Sequence, residues 1–231
     1  MSFQLTEPLS SLDVEIRDAY TGVLQQIRIR LNDSYAAIDG IPSGEPIVDV
    51  LCCERAALQI RKVLELIVLS SLVTNRESLE AVSVAFRDHD AAKARKLVRK
   101  FNPYYWPTPV WQFPIAEGVW MPIPVKDGFL TEGDWRRAFG MTSKLVHAVS
   151  PFRKLPNPAT SKDALKELLA SILVLLKEHY VALVGGTKWV TGRLDDGTGK
   201  AQAGIAQPLR QAKEQPQAIR QLESPDSAIT E

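Results

Sequence analysis

Apolar residues recur at helical spacing from the start of the chain. Leu12, Ile16, Tyr20, Val23, Leu24, Ile27 and Leu31 share one face, with Arg17, Gln25 and Arg28 between them. That pattern predicts an amphipathic helix capped by Ser10 or Ser11 and running to about Asn32. Asp39–Pro46 holds two glycines and two prolines and reads as a loop. From Ile47 to about Asn75 the apolar positions lie on nearly every side, leaving Glu54, Arg55, Arg61, Lys62 and Glu65 as a wet stripe. A helix of that kind belongs in the middle of a bundle. Shorter helices are predicted over Ser78–Phe86 and Asp90–Phe101.

The pattern then breaks. Residues 102–124 carry Pro103, Pro107, Pro109, Pro114, Pro122 and Pro124 among Tyr104, Tyr105, Trp106, Trp111, Phe113 and Trp120. Proline forbids a long helix here, and the aromatic content argues against disorder. The expected form is an extended segment laid over the helices, with a hairpin across Gln112–Ile123 turning at Glu117-Gly118. Thr131, with Asp134 three positions on, caps a helix ending near His147. Ser161 is the expected cap of an apolar helix over Lys162–Glu178. Alternating positions over His179–Val184, Thr187–Leu194 and Lys200–Ala206 then predict three strands, joined by Gly185-Gly186 and by Asp195–Gly199. From Gln207 onward Gln, Pro, Ser and charged residues dominate, and a disordered tail is expected.

The expected fold class is therefore α+β, mainly a helical bundle with a small C-terminal antiparallel β-sheet. The expected divisions are residues 1–158 for the bundle with its aromatic segment, 159–206 for a helix and a three-stranded appendage, and 207–231 for the tail.

Composition narrows the function classes. Lys+Arg total 28 and Asp+Glu 27, so no global field points to a nucleic acid or a lipid surface, although a local basic patch is compatible with a nucleic-acid partner. The longest apolar run, Leu66–Val73, falls far short of the ~20 residues that span a bilayer. Met1–Glu7 lacks the basic and apolar regions of a signal peptide. The expectations are the cytoplasm and no membrane. Cys52 and Cys53 are neighbours, which suits neither a disulfide framework nor a CxxC site. His89, His147 and His179 show no paired ligand spacing, so neither a metal nor another cofactor is expected.

Candidate chemistry is confined to three places. His147 ends a helix, where it either meets exposed carbonyls or serves as an acid/base. Lys93, Arg95, Lys96, Arg99 and Lys100 place five cations in eight residues, a solvated face or a phosphate-contacting one. Trp106, Trp111, Trp120 and Trp135 are candidate walls of a small-molecule pocket. The GxSxG elbow, the P-loop and the repeated aromatic-basic pattern are all missing.

The helix Glu54-Arg55-Ala56-Ala57-Leu58-Gln59-Ile60-Arg61-Lys62-Val63-Leu64-Glu65, followed by one ending in His147, resembles the HEPN superfamily over roughly residues 10–150. The resemblance implies a helical bundle and, where four to six residues separate an Arg from the His, metal-independent RNA cleavage across a dimer interface. Here those positions are Gly140, Met141 and Thr142, and the nearest arginines, Arg136 and Arg137, lie ten or more residues away.

The leading reading is a non-catalytic binding or assembly module, in a defence or nucleic-acid-associated setting, working as a homodimer or with a protein partner. The alternatives are a HEPN-like ribonuclease using His147 with Arg136, Arg137 or Lys144, and a small-molecule sensor with a tryptophan-lined pocket.

Overall fold

The computed structural model describes residues 2–5, 8–73, 91–117, 119–147, 156–183 and 186–208. The expected helix over Ser78–Phe86, His89 and the chain beyond Pro208 lie outside them. Among the described residues there are five helices: α1 (Ser11–Asp39), α2 (Pro46–Val73), α3 (Ala91–Phe101), α4 (Glu132–Val146) and α5 (Pro158–Leu176). Six strands accompany them: β1 (Phe3–Leu5), β2 (Thr108–Ala116), β3 (Val119–Pro124), β4 (Glu178–Ala182), β5 (Trp189–Arg193) and β6 (Gln202–Pro208).

The helices begin where local chemistry sets them. At α1 the Ser10 hydroxyl accepts from the Asp13 amide, and the Asp13 carboxylate accepts from the Ser10 amide, a complete capping box. Burial alone would raise the Asp13 carboxyl. Lys188 at 2.7 Å and the Ser10 groups hold it below the usual range instead. Thr131 caps α4 as its sequence indicates. The cap of α5 is Asn157, whose Oδ1 accepts from the amides of Ala159 and Thr160, with Pro158 at the first helical position. Ser161 lies inside the helix, because Pro158 is pre-set for a helical first turn and moves the start forward.

α2 is the central helix expected of it and lies against α1, α3, α4 and α5. Ile60, Val63, Leu64, Ile67 and Val68 are buried along it, facing Tyr20, Leu24, Ile27 and Leu31 of α1 and Leu165, Leu169 and Ile172 of α5. None of the described helices is long and apolar enough to cross a membrane.

The β structure corrects the expected fold class. The strands do not form a small C-terminal sheet. They close into an antiparallel barrel in the order β1-β3-β2-β4-β5-β6, with β6 returning to β1. The meander β4-β5-β6 matches the three predicted strands, and β2-β3 is the predicted hairpin. What overturns the bundle reading is that these join. Thr108 and Pro109 pair with Tyr180 and His179. Phe3 pairs with Trp120 on one side and Pro208 on the other. The proline-rich segment is thus two barrel staves rather than a strap over helices, and Gln207 and Pro208 belong to β6 rather than the tail.

Alternation along the strands divides their side chains between two interiors. Val181, Val190 and Ile205 face the helical core with Leu24 and Ile27. Phe3, Ala182, Trp189 and Ala206 form a second cluster, joined by Tyr180. On the helical side of the barrel wall stands His179, which is fully buried. Its ring lies between Tyr20 Oη, 2.7 Å from Nε2, and the Leu176 carbonyl, 3.1 Å from Nδ1.

That ring needs the gap left by its cross-strand partner Gly192. A β-carbon there would stand 2.5 Å from His179 Cε1 and 3.0 Å from Leu24 Cδ1. Gly192→Ala is expected to cost about 1–3 kcal/mol through overpacking, read as a lower urea midpoint with an unchanged slope.

Candidate functional site

Six strands make a narrow barrel, and side chains are expected to fill one of that width. This barrel keeps a cavity of about 280 Å3, lined by residues of all six strands. The space comes from small residues on the β5–β6 wall: Thr191, Ala203, Gly204 and Ala206. At Gly204 a β-carbon would meet Thr191 Oγ1 at 3.0 Å and Leu5 Cδ2 at 3.3 Å, so the glycine keeps this wall thin.

Strand register layers the lumen. One layer is the row Glu178–Arg193–Gln202 across β4, β5 and β6. The next is Tyr180–Thr191–Gly204, and the third is Ala182–Trp189–Ala206. The first is polar. Arg193 Nη2 lies 2.9 Å from Glu178 Oε1, and the Gln112 amide donates to Glu178 Oε2 at 3.2 Å. The third is aromatic: Phe3 packs edge-on to Trp189 with centroids 4.7 Å apart and lies 5.5 Å from Tyr180. The cavity therefore has one end of hydrogen-bonding groups and one end of rings, the usual division of a small-molecule site.

Beyond Phe3 and Tyr180, which line both, lies a wider cavity of about 560 Å3 walled by Pro103, Tyr104, Trp106, Phe129 and Trp189. Among the described residues no charged side chain lines it.

The residues singled out from the sequence do not meet at one point. His147 is the exposed C-cap of α4. Arg136 is exposed on the same helix. Arg137 pairs with Asp134 at 2.6 Å with its side chain 82% exposed, and an ion pair so exposed contributes little. Eleven residues of helix put Arg136 about 16 Å from His147, so within one chain the two do not converge. Lys144 is exposed near His147. Thr142, one of the residues standing where a HEPN arginine would, is buried and donates to the Ala138 carbonyl at 3.0 Å.

On α3 the expected basic face splits. Arg95 turns inward to Glu132 at 2.7 Å and lies 5.5 Å above the Trp135 ring, while Tyr105 donates to the same Glu132 oxygen at 2.8 Å. Arg95 therefore fastens α3 to α4. Arg99 stands 3.7 Å from Glu132 with its side chain 65% exposed, and Lys93 and Lys96 are exposed.

The tryptophans also separate. Trp120 lines the lumen and Trp106 the wider cavity, where its Nε1–H is taken by the Leu130 carbonyl at 3.2 Å. Trp111 is exposed, with Lys177 Nζ 5.2 Å from its ring. Trp135 is core. The two cysteines remain free thiols, and burial raises the Cys53 thiol above its usual range. Among the described residues no group of His, Cys, Asp and Glu could hold a metal ion.

Sequence reasoning missed Phe3, Glu178, Tyr180, Arg193, Gln112 and Gln202. One signal pointed to them: Gly192 and Gly204 sit inside strands, where glycine marks a close approach or a space. Searched against protein-family models, curated proteins and solved structures, the chain matches none of them.

Proposed function

We propose that this protein is a binding module and that the barrel lumen is its ligand site. The observation that carries this is a closed six-stranded barrel whose lumen is left open, polar at one end and aromatic at the other. Filling that space with larger aliphatic side chains would add buried apolar area at roughly 25 cal/mol per Å2. An empty lumen with a thin glycine wall forgoes that gain, which is the pattern of a site kept for a guest. Among the earlier readings this joins the binding module to the small-molecule sensor, with a different set of walls.

The separation of Arg136 from His147 weighs against cleavage of RNA within one chain.

The test is a fragment screen read by tryptophan fluorescence and by chemical shifts of Trp120 and Tyr180. Compounds that bind should perturb these two residues and raise the melting temperature. Gly204→Val, whose side chain enters the lumen, should abolish binding while far-UV circular dichroism stays unchanged. Binders that act equally on the Gly204→Val protein would sink the proposal.

A further inference from the structure

We infer that the guest of the lumen carries a carboxylate, gripped by Arg193 at the polar end, with an apolar or aromatic body against Trp120 and Tyr180. The inference rests on the lumen being the ligand site. It follows from which hydrogen-bonding capacity is already used.

Glu178 is committed on both oxygens, one to Arg193 Nη2 at 2.9 Å and the other to the Gln112 amide at 3.2 Å. Thr191 donates its hydroxyl to the Gly204 carbonyl at 3.3 Å. Arg193 has five N–H donors in a rigid fork. Glu178 is its one ion-pair partner among the described residues. The side-chain amides of Gln112 and Gln202 line the same cavity with no protein partner among the described residues; each brings two donors and one carbonyl acceptor, so the surplus of donors comes from Arg193. The unspent capacity is therefore mostly donors, and it calls for an acceptor.

Charge decides which acceptor. Among the described residues the lumen lining has a single cation, and Glu178 offsets it. A dianionic phosphate would add two negative charges to a near-neutral wall and remain undercompensated. A monoanion adds only one charge, Arg193 keeps N–H donors beyond the one given to Glu178, and the planar fork fits the two oxygens of a carboxylate. Glu178 orients Arg193 from behind in this arrangement, as its second contact to the β2 backbone fixes its own position. The walls beyond, Val110, Trp120 and Tyr180, are apolar or aromatic, and among the described residues they leave no charge to meet a second ionised group.

The experiment is titration calorimetry of the full chain with benzoate and phenylacetate beside benzamide, benzyl alcohol, benzylamine and inorganic phosphate. The carboxylates should bind at least about ten-fold tighter than the amide or alcohol. The amine and phosphate alone should not bind. Arg193→Gln should remove the preference for the acid over the amide, with Arg193→Lys in between. Equal affinity for acid and amide, preference for the amine, or Arg193-dependent binding of phosphate would overturn the carboxylate assignment. If Gly204→Val still removes binding in that case, the lumen site stands. Binding of none of the aromatic compounds, or binding unaffected by Gly204→Val, would overturn the lumen itself. The acid–amide comparison on the unaltered protein carries the test even where an Arg193 variant folds poorly.

Discussion

Replacing Trp135 by Ala lowers the folding stability by about 3–5 kcal/mol, the range for deleting a large buried ring. Trp135 is 1% exposed, and it closes three contacts at once. Its Nε1–H donates to the Leu64 carbonyl of α2 at 2.9 Å. Its ring stacks on Phe139 at 4.8 Å, and the Arg95 guanidinium lies over it at 5.5 Å. Removing it opens a cavity between α2 and α4 and takes the ring from beneath Arg95, whose Nε already lacks a partner and which keeps its pairing with Glu132. Trp135→Phe should fall between, since it keeps much of the ring and loses the hydrogen bond, worth about 1 kcal/mol. Trp111→Ala is the contrast: 53% exposed, held by one cation–π contact, it should cost under about 1 kcal/mol. Urea denaturation of the three variants reads all of this. A Trp135→Ala protein within 1 kcal/mol of the parent would mean that α4 is not packed as described.

That pair of tryptophans shows where the sequence is legible and where it is not. Both sit among polar and apolar neighbours in a similar mixture, and nothing local marks one as core and the other as surface. The burial of Trp135 follows from α4 docking on α2, a contact between segments some seventy residues apart in the chain. Helix starts were legible because Ser10–Asp13 and Thr131–Asp134 act within four residues. The meander β4-β5-β6 was legible because alternation and the Asp195–Gly199 turn are local too, with Gly197 and Gly199 at φ +92° and +83°.

Barrel closure was not legible. β1 has only three residues, too few to show a period. In β2 and β3 the prolines at 109, 114, 122 and 124 obscure the alternation that would mark strands. The closing pairs, Phe3 with Pro208 and Thr108 with Tyr180, join distant parts of the chain, and register alone selects them. The candidate site inherits that blindness. Glu178 and Arg193 read singly as ordinary charged strand residues. Only the register that sets Glu178 opposite Arg193 makes them one end of a lumen.

Acid weakens this fold through one residue before the carboxylates titrate. His179 is fully buried, and burial pushes its ring down to about 4, with the hydrogen bond to the Leu176 carbonyl opposing only in part. Nδ1–H donates to that carbonyl and Nε2 accepts from Tyr20 Oη, so the neutral ring satisfies both partners. Protonation would put a second hydrogen where Tyr20 now donates, in a site where, among the described residues, no carboxylate pairs with the ring. The unfolded chain binds the proton near 6.5, and the folded chain resists it until about 4. Between these values the unfolded state holds more protons, so stability rises with pH and is lost as pH falls through this window. At about 1.4 kcal/mol per unit the loss is about 2 kcal/mol at pH 5 and about 3 kcal/mol by pH 4. Asp13, held low by Lys188 and Ser10, contributes only further down. Urea unfolding at pH 7, 6 and 5 should show the steepening slope, and His179→Gln should flatten it whatever its own stability at pH 7. Because His179 joins α1 to β4, the same protonation should first loosen the seam between helices and barrel, seen as faster amide exchange at Val181 and Val190 than in the α2 core. A parent protein whose stability is flat from pH 7 to 5 would mean that the ring has solvent or an anion that the packing at Gly192 and Tyr20 does not admit.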